Sequence, residues 1–170
     1  MSPRRFAAVG AGGLALDVLL GLRSKVQQVV EVFILLPLHL AGNAVLQLEA
    51  VYLAQEGVEI TRNIRDANLL NIYKGNGGEW TDNLTGCEAG CEADYTAGSL
   101  AVSQDRFLQY GSGFYNYTAG EGTLFKRSIA VLEPSPEVLE VAVTVTWEER
   151  GRSHQVKAAT ELYNWLSTAP

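Results

Sequence analysis

Cysteine, histidine and clustered basic charge are scarce in this chain, and each scarcity removes a class of function. Two cysteines and two histidines are poor material for zinc: Cys87 and Cys91 supply two ligands, while His39 and His154 lie far off in sequence. Lys and Arg number 13 against 19 Asp and Glu, a net charge of −6, and nothing basic clusters beyond Arg4-Arg5. Nucleic acid is therefore excluded as a partner, because phosphate binding needs grouped cations that release counterions. Catalytic signatures are missing too. The glycines of Gly75-Asn76-Gly77-Gly78 lack the Lys and Ser/Thr of a phosphate loop. Gly111-Ser112-Gly113 has no strand-to-helix switch after it and reads as a hairpin turn, not a nucleophile elbow. With no nucleophile beside a base and no diagnostic carboxylate pair, the chain is expected to be non-enzymatic and to carry no cofactor and no metal.

What is present is apolar. With 47% hydrophobic residues in 170, one domain can bury a sizeable core. Leu46, Ala50, Leu53, Gly57, Ile60 and Ile64 recur at spacings of four and three, which places them on one face of a helix predicted over 43–66. Gln47, Gln55, Glu56, Glu59, Arg62 and Asn63 fall largely on the other side. Beyond Asp66 the helical period gives way to Asn, Gly, Thr and Ser, and loop is predicted to about Gly98. Strands follow. Arg106–Tyr110 and Phe114–Thr118 flank the Gly111-Ser112-Gly113 turn, and Thr123–Leu132 continues the antiparallel order. The clearest strand is Leu139–Trp147, with Leu139, Val141, Val143, Val145 and Trp147 on one side. A returning strand alternates Val156, Ala158, Thr160 and Leu162 with polar neighbours.

Residues 1–42 read as a leader or membrane-inserting segment. Arg4 and Arg5 precede the apolar Phe6–Leu16, without a convincing small-residue cleavage site. A second apolar candidate runs from Val26 to Leu46 and is weakened by Pro37, His39 and Asn43. A buried hydrophobic hairpin, or a start region altered by a frameshift, stands beside that reading.

The stretch Tyr52-Leu53-Ala54-Gln55-Glu56-Gly57-Val58-Glu59-Ile60-Thr61-Arg62-Asn63-Ile64-Arg65-Asp66 resembles the end of the N-terminal helix of bacterial type IV pilin-like proteins, minor pilins and pseudopilins with a prepilin leader. The resemblance continues through Gly86–Tyr95, Gly113–Thr118, Phe125–Arg127 and Val145–His154. It implies an α+β fold, a long N-terminal helix packed on an antiparallel sheet domain over 67–170. It also implies a structural subunit of a type IV pilus or type II secretion filament, anchored in the cell membrane with its globular part outside the cytoplasm. The implied partners are other pilin-like subunits, the membrane and a prepilin peptidase. Gly12, Gly13 and Asp17 only faintly echo the processing motif, since Asp stands where Glu is usual. The rival expectation is an exported, membrane-anchored adhesin or binding domain.

Cys87 and Cys91, four apart between glycines, can close a tight disulfide in an oxidising compartment, or remain free thiols in a reducing one. Glu79, Asp82, Glu88, Glu92 and Asp94 surround them. Some pilin-like relatives hold calcium in such a loop, but without a regular acidic register these residues read as a solvated acidic loop. Asn83-Leu84-Thr85 and Asn116-Tyr117-Thr118 fit the glycosylation sequon, a pattern short enough to arise by chance.

Overall fold

The computed structural model describes residues 36–166, with side chains from Ala44 onward. The chain divides at Val45 and Leu46 into two units, and the packing below belongs to the second. The element order is helix α1 (Leu36–Tyr73), then β1 (Cys91–Glu92), β2 (Ala101–Val102), β3 (Phe107–Gly111), β4 (Phe114–Asn116), β5 (Glu121–Ser135), β6 (Val138–Glu149) and β7 (Arg152–Tyr163).

All seven strands join one antiparallel sheet. β5 pairs with β6 along one side, and β6 with β7. The other side of β5 is shared: β3 pairs with it over Glu121–Lys126 and β1 at Ile129, with β4 and β2 beyond them. Two-residue connections with positive φ set the hairpin registers. Ser112 (54°) and Gly113 (88°) join β3 to β4, while Arg150 (51°) and Gly151 (73°) join β6 to β7. Consecutive left-handed residues twist a two-residue loop the way the strands already twist.

Alternation decides the faces. Leu139, Val141, Val143 and Val145 of β6 are fully buried, and Phe125, Ile129 and Val131 of β5 join them. Burial of each such side chain contributes about 1.5–3 kcal/mol. The helix adds Ala50, Leu53, Ile60 and Ile64 to the same core, with Leu46 half-buried at its margin. Its buried surface is broader than the stripe at alternating spacing, since Ala54, Val58 and Thr61 are also enclosed. Trp80, Leu84, Cys87, Cys91 and Ala93 bring the irregular segment into that core.

The expected fold class needs correction. Instead of a long N-terminal helix that covers a meander and continues as a membrane segment, a large seven-stranded antiparallel sheet organises the domain, with one helix among the described residues. No described helix is long and apolar enough to cross a membrane. The physical reason lies in α1 itself: Glu49, Glu56, Glu59, Arg62, Arg65 and Asp66 place a charge on nearly every turn. Among its described side chains, full burial begins at Ala50. Two boundaries also move. α1 runs on past Asp66 to Tyr73 because Leu69 and Ile72 still find the core. It stops at Gly75 (φ 78°), where the Asn76 amide donates to Asn71 O and the Gly75 amide to Ile72 O, a Schellman closure. The two short strands β1 and β2 lie where loop was predicted or just past it. The segment 1–42 and its Gly12, Gly13 and Asp17 lie outside the residues whose side chains are described.

Candidate functional site

The most specific constellation in the molecule is the joint where α1, β5 and the disulfide segment meet. Gly57 lies one turn beyond Leu53 on the buried face of α1, and a Cβ there would meet Val143 Cγ1 at 2.7 Å and Arg127 Cδ at 3.1 Å. The glycine therefore permits a backbone approach that alanine would obstruct. Beside it, β5 turns Arg127 inward in register with Phe125 and Ile129, and the side chain is fully buried. Its Nη1 donates to Leu53 O at 3.1 Å and to Glu56 Oε2 at 2.6 Å, and its Nη2 donates to Ala93 O at 2.8 Å. One guanidinium thus ties the helix, a strand and the irregular segment. A buried charge is tolerated only with such pairing.

A second ion pair lies next to it. Glu92 of β1 is buried and accepts from Arg106 Nε at 2.9 Å and from Arg106 Nη2. The Arg106 guanidinium carbon lies 4.8 Å from the centre of the Tyr117 ring. The hydrogen bond to Glu92 raises the Arg106 pKa, with burial opposing it. Burial is the main cause that raises the Tyr117 pKa, with Arg127 pulling the other way. Tyr115 donates its hydroxyl to Glu49 of α1, and its pKa is raised strongly, by burial first and by that bond second.

Cys87 and Cys91 form a disulfide, with Cα atoms 5.3 Å apart. The bond itself is enclosed, since both cysteines are buried, while Glu88 and Ala89 at the tip of the loop are exposed. The Val131 amide donates to Cys87 O at 3.2 Å, which fixes the loop against β5. Gly90, with φ 110°, sits so close to the strand that a Cβ would meet Ser128 Oγ at 2.4 Å.

The acidic residues around this loop are not brought together. Glu92 is paired with Arg106, Asp82 Oδ2 accepts from the Glu79 amide at 2.8 Å, and Asp94 Oδ1 accepts from the amide and hydroxyl of Thr96. Among the described residues no group of three or more Asp, Glu, His or Cys could hold a metal. His154 stacks on Trp147 with ring centres 5.3 Å apart. Within the sequons, Asn83 is exposed while Asn116 is buried, its Oδ1 accepting from the Thr118 and Ala119 amides.

Arg127 and Arg106 escaped the sequence reading, and Glu92, expected in a solvated acidic loop, is instead buried; in each case the expectation follows from charge defaulting to the surface. The available signal was register: Phe125-Lys126-Arg127-Ser128-Ile129 places Arg127, not Lys126, on the apolar side.

Comparison with known proteins returns no match: no family model, no curated protein and no solved structure corresponds to this chain.

Proposed function

We propose that the chain is a non-enzymatic structural subunit, a minor pilin or pseudopilin of a type IV pilus or type II secretion filament, which meets its neighbours through α1. The observation that carries this reading is the outer flank of the helix. Leu48 and Tyr52, one turn apart, are 54% and 62% exposed, while the opposite flank is held by the Arg127 joint. This short apolar patch on an otherwise polar outer face, on a helix whose rotation is fixed, gives neighbouring subunits a defined surface to bury. The sequence resemblance supports the filament, and the Cys87–Cys91 bond suits an extracytoplasmic location. On this reading residues 1–42 supply the membrane contact and the substrate of a prepilin peptidase.

Cysteine introduced at Tyr52 tests it in the native host. Oxidative capture of like or related subunits at that position is expected, and exclusively monomeric Tyr52→Cys in assembled filaments overturns the reading.

A second reading, an exported binding or adhesin domain, draws on the stacked pair Tyr95 and Phe114, with ring centres 4.5 Å apart and both rings about half exposed. Loss of surface adhesion on Tyr95→Ala with filament assembly intact would favour it.

A further inference from the structure

The free side of β7 remains after the helix and the joint are accounted for. β7 keeps an unbroken register with β6 over its 12 residues, contains no proline and, among the described residues, pairs with β6 alone. Edges this long and regular are usually blunted by bulges, prolines or a covering element, because their unpaired amides recruit other strands. We propose that β7 pairs antiparallel with β7 of a second copy of this chain, in the register centred on Ala159. This does not depend on the filament reading, and it uses a different surface.

The direction of the backbone groups follows from the hairpin. In a two-residue connection the flanking pair, Glu149 and Arg152, is hydrogen-bonded, so the even-numbered residues of β7 bond to β6. The Asn164 amide extends that series by donating to Glu137 O at 3.1 Å. Odd-numbered residues point the other way, as Tyr163 O does in accepting from Arg65 Nη1 at 2.9 Å. That cap closes one end, leaving the amides and carbonyls of Ser153, Gln155, Lys157, Ala159 and Glu161 along the open stretch.

Charge selects the register. Residues directly opposite in an antiparallel pair share a face, and a two-fold axis at Ala159 sets Lys157 against Glu161 of the second copy, twice. An axis at Lys157 or at Glu161 would oppose like charges instead. Glu161 also has an unfavourable neighbour within its own chain, because the β6–β7 register sets it directly across from Glu140. The second copy's Lys157 would stand on the other flank of Glu161 and offset that repulsion. Small side chains keep the approach open: Ala130, Ala142 and Ala159 lie in one row across three strands, and the axis would continue the row.

Sedimentation equilibrium of the full chain over a range of concentrations tests the proposal. A monomer–dimer equilibrium is expected, with Lys157→Glu and Glu161→Lys each weakening dimerisation by roughly tenfold as two attractive pairs become repulsive. The double variant restores opposite charges and should return the affinity to near its starting value. Ala159→Pro removes an amide that faces away from β6 and should abolish the dimer while far-ultraviolet circular dichroism stays unchanged. A mass that remains monomeric at every concentration overturns the proposal. So does a double variant weaker than either single one, or a dimer that persists in folded Ala159→Pro.

Discussion

The two sides of β5 are built on different principles. Toward β6 and β7 the chain is periodic: long strands, two-residue turns and a row of fully buried Leu and Val. Toward β1 and β3 it is short-paired and irregular, and its order rests on one disulfide, two carboxylate–guanidinium pairs that each have one buried partner, and side chains that bond nearby amides. The first side is stabilised by area removed from water, a diffuse quantity that tolerates many residues. The second is stabilised by a few directed contacts, each of which fails sharply when one partner is removed.

The largest expected effect is at the joint between them. Arg127→Ala leaves Glu56 and the carbonyls of Leu53 and Ala93 without their donor and should cost about 3–5 kcal/mol in urea unfolding. Arg127→Met, which replaces the charge by apolar volume, should be distinctly milder; equal losses would mean the charge has no special standing there. On the periodic side, Leu139→Ala should cost about 3 kcal/mol through cavity formation and leave the rest of the fold intact by circular dichroism. Opening the disulfide with Cys87→Ser and Cys91→Ser together should cost about 2 kcal/mol, because the loop is short. Proteolysis should then cut between residues 86 and 104 well before the β5–β7 meander; a uniform cleavage pattern would mean that the two sides of β5 do not differ in local stability.

The smallest effect is confined to alkali. Tyr115 and Tyr117 have pKa values raised above the ordinary 10.0, mainly by burial, so the folded state holds these protons more tightly than the unfolded chain. Their contribution is therefore complete below about pH 10 and declines as pH rises toward the folded values. Thermal midpoints measured from pH 8 upward should fall in this range, and the decline should be shallower in Tyr115→Phe. An unchanged slope would show that the decline arises elsewhere.

Legibility followed the same division. Leu139 to Trp147 and Val156 to Leu162 announced their faces through alternation, and Leu53, Ile60 and Ile64 through helical spacing, because a repeated pattern reports a shared environment. β1 and β2 could not be read: two residues carry no period, and their pairing depends on where the disulfide loop settles. The pairing of Glu92 with Arg106 and of Glu49 with Tyr115 joins residues 14 and 66 apart, which local propensity does not encode. The expected fold class failed for a related reason. Helical spacing located the middle of α1, but resemblance over separate blocks could not weigh that helix against a sheet of seven strands.

The shared side of β5 has a consequence for how such a domain can vary. Because β1–β2 and β3–β4 occupy separate stations on a common strand, either ribbon can be lengthened or exchanged while the other and the meander keep their alignment. Surface novelty can thus be grafted at one station at a time onto an unchanging chassis.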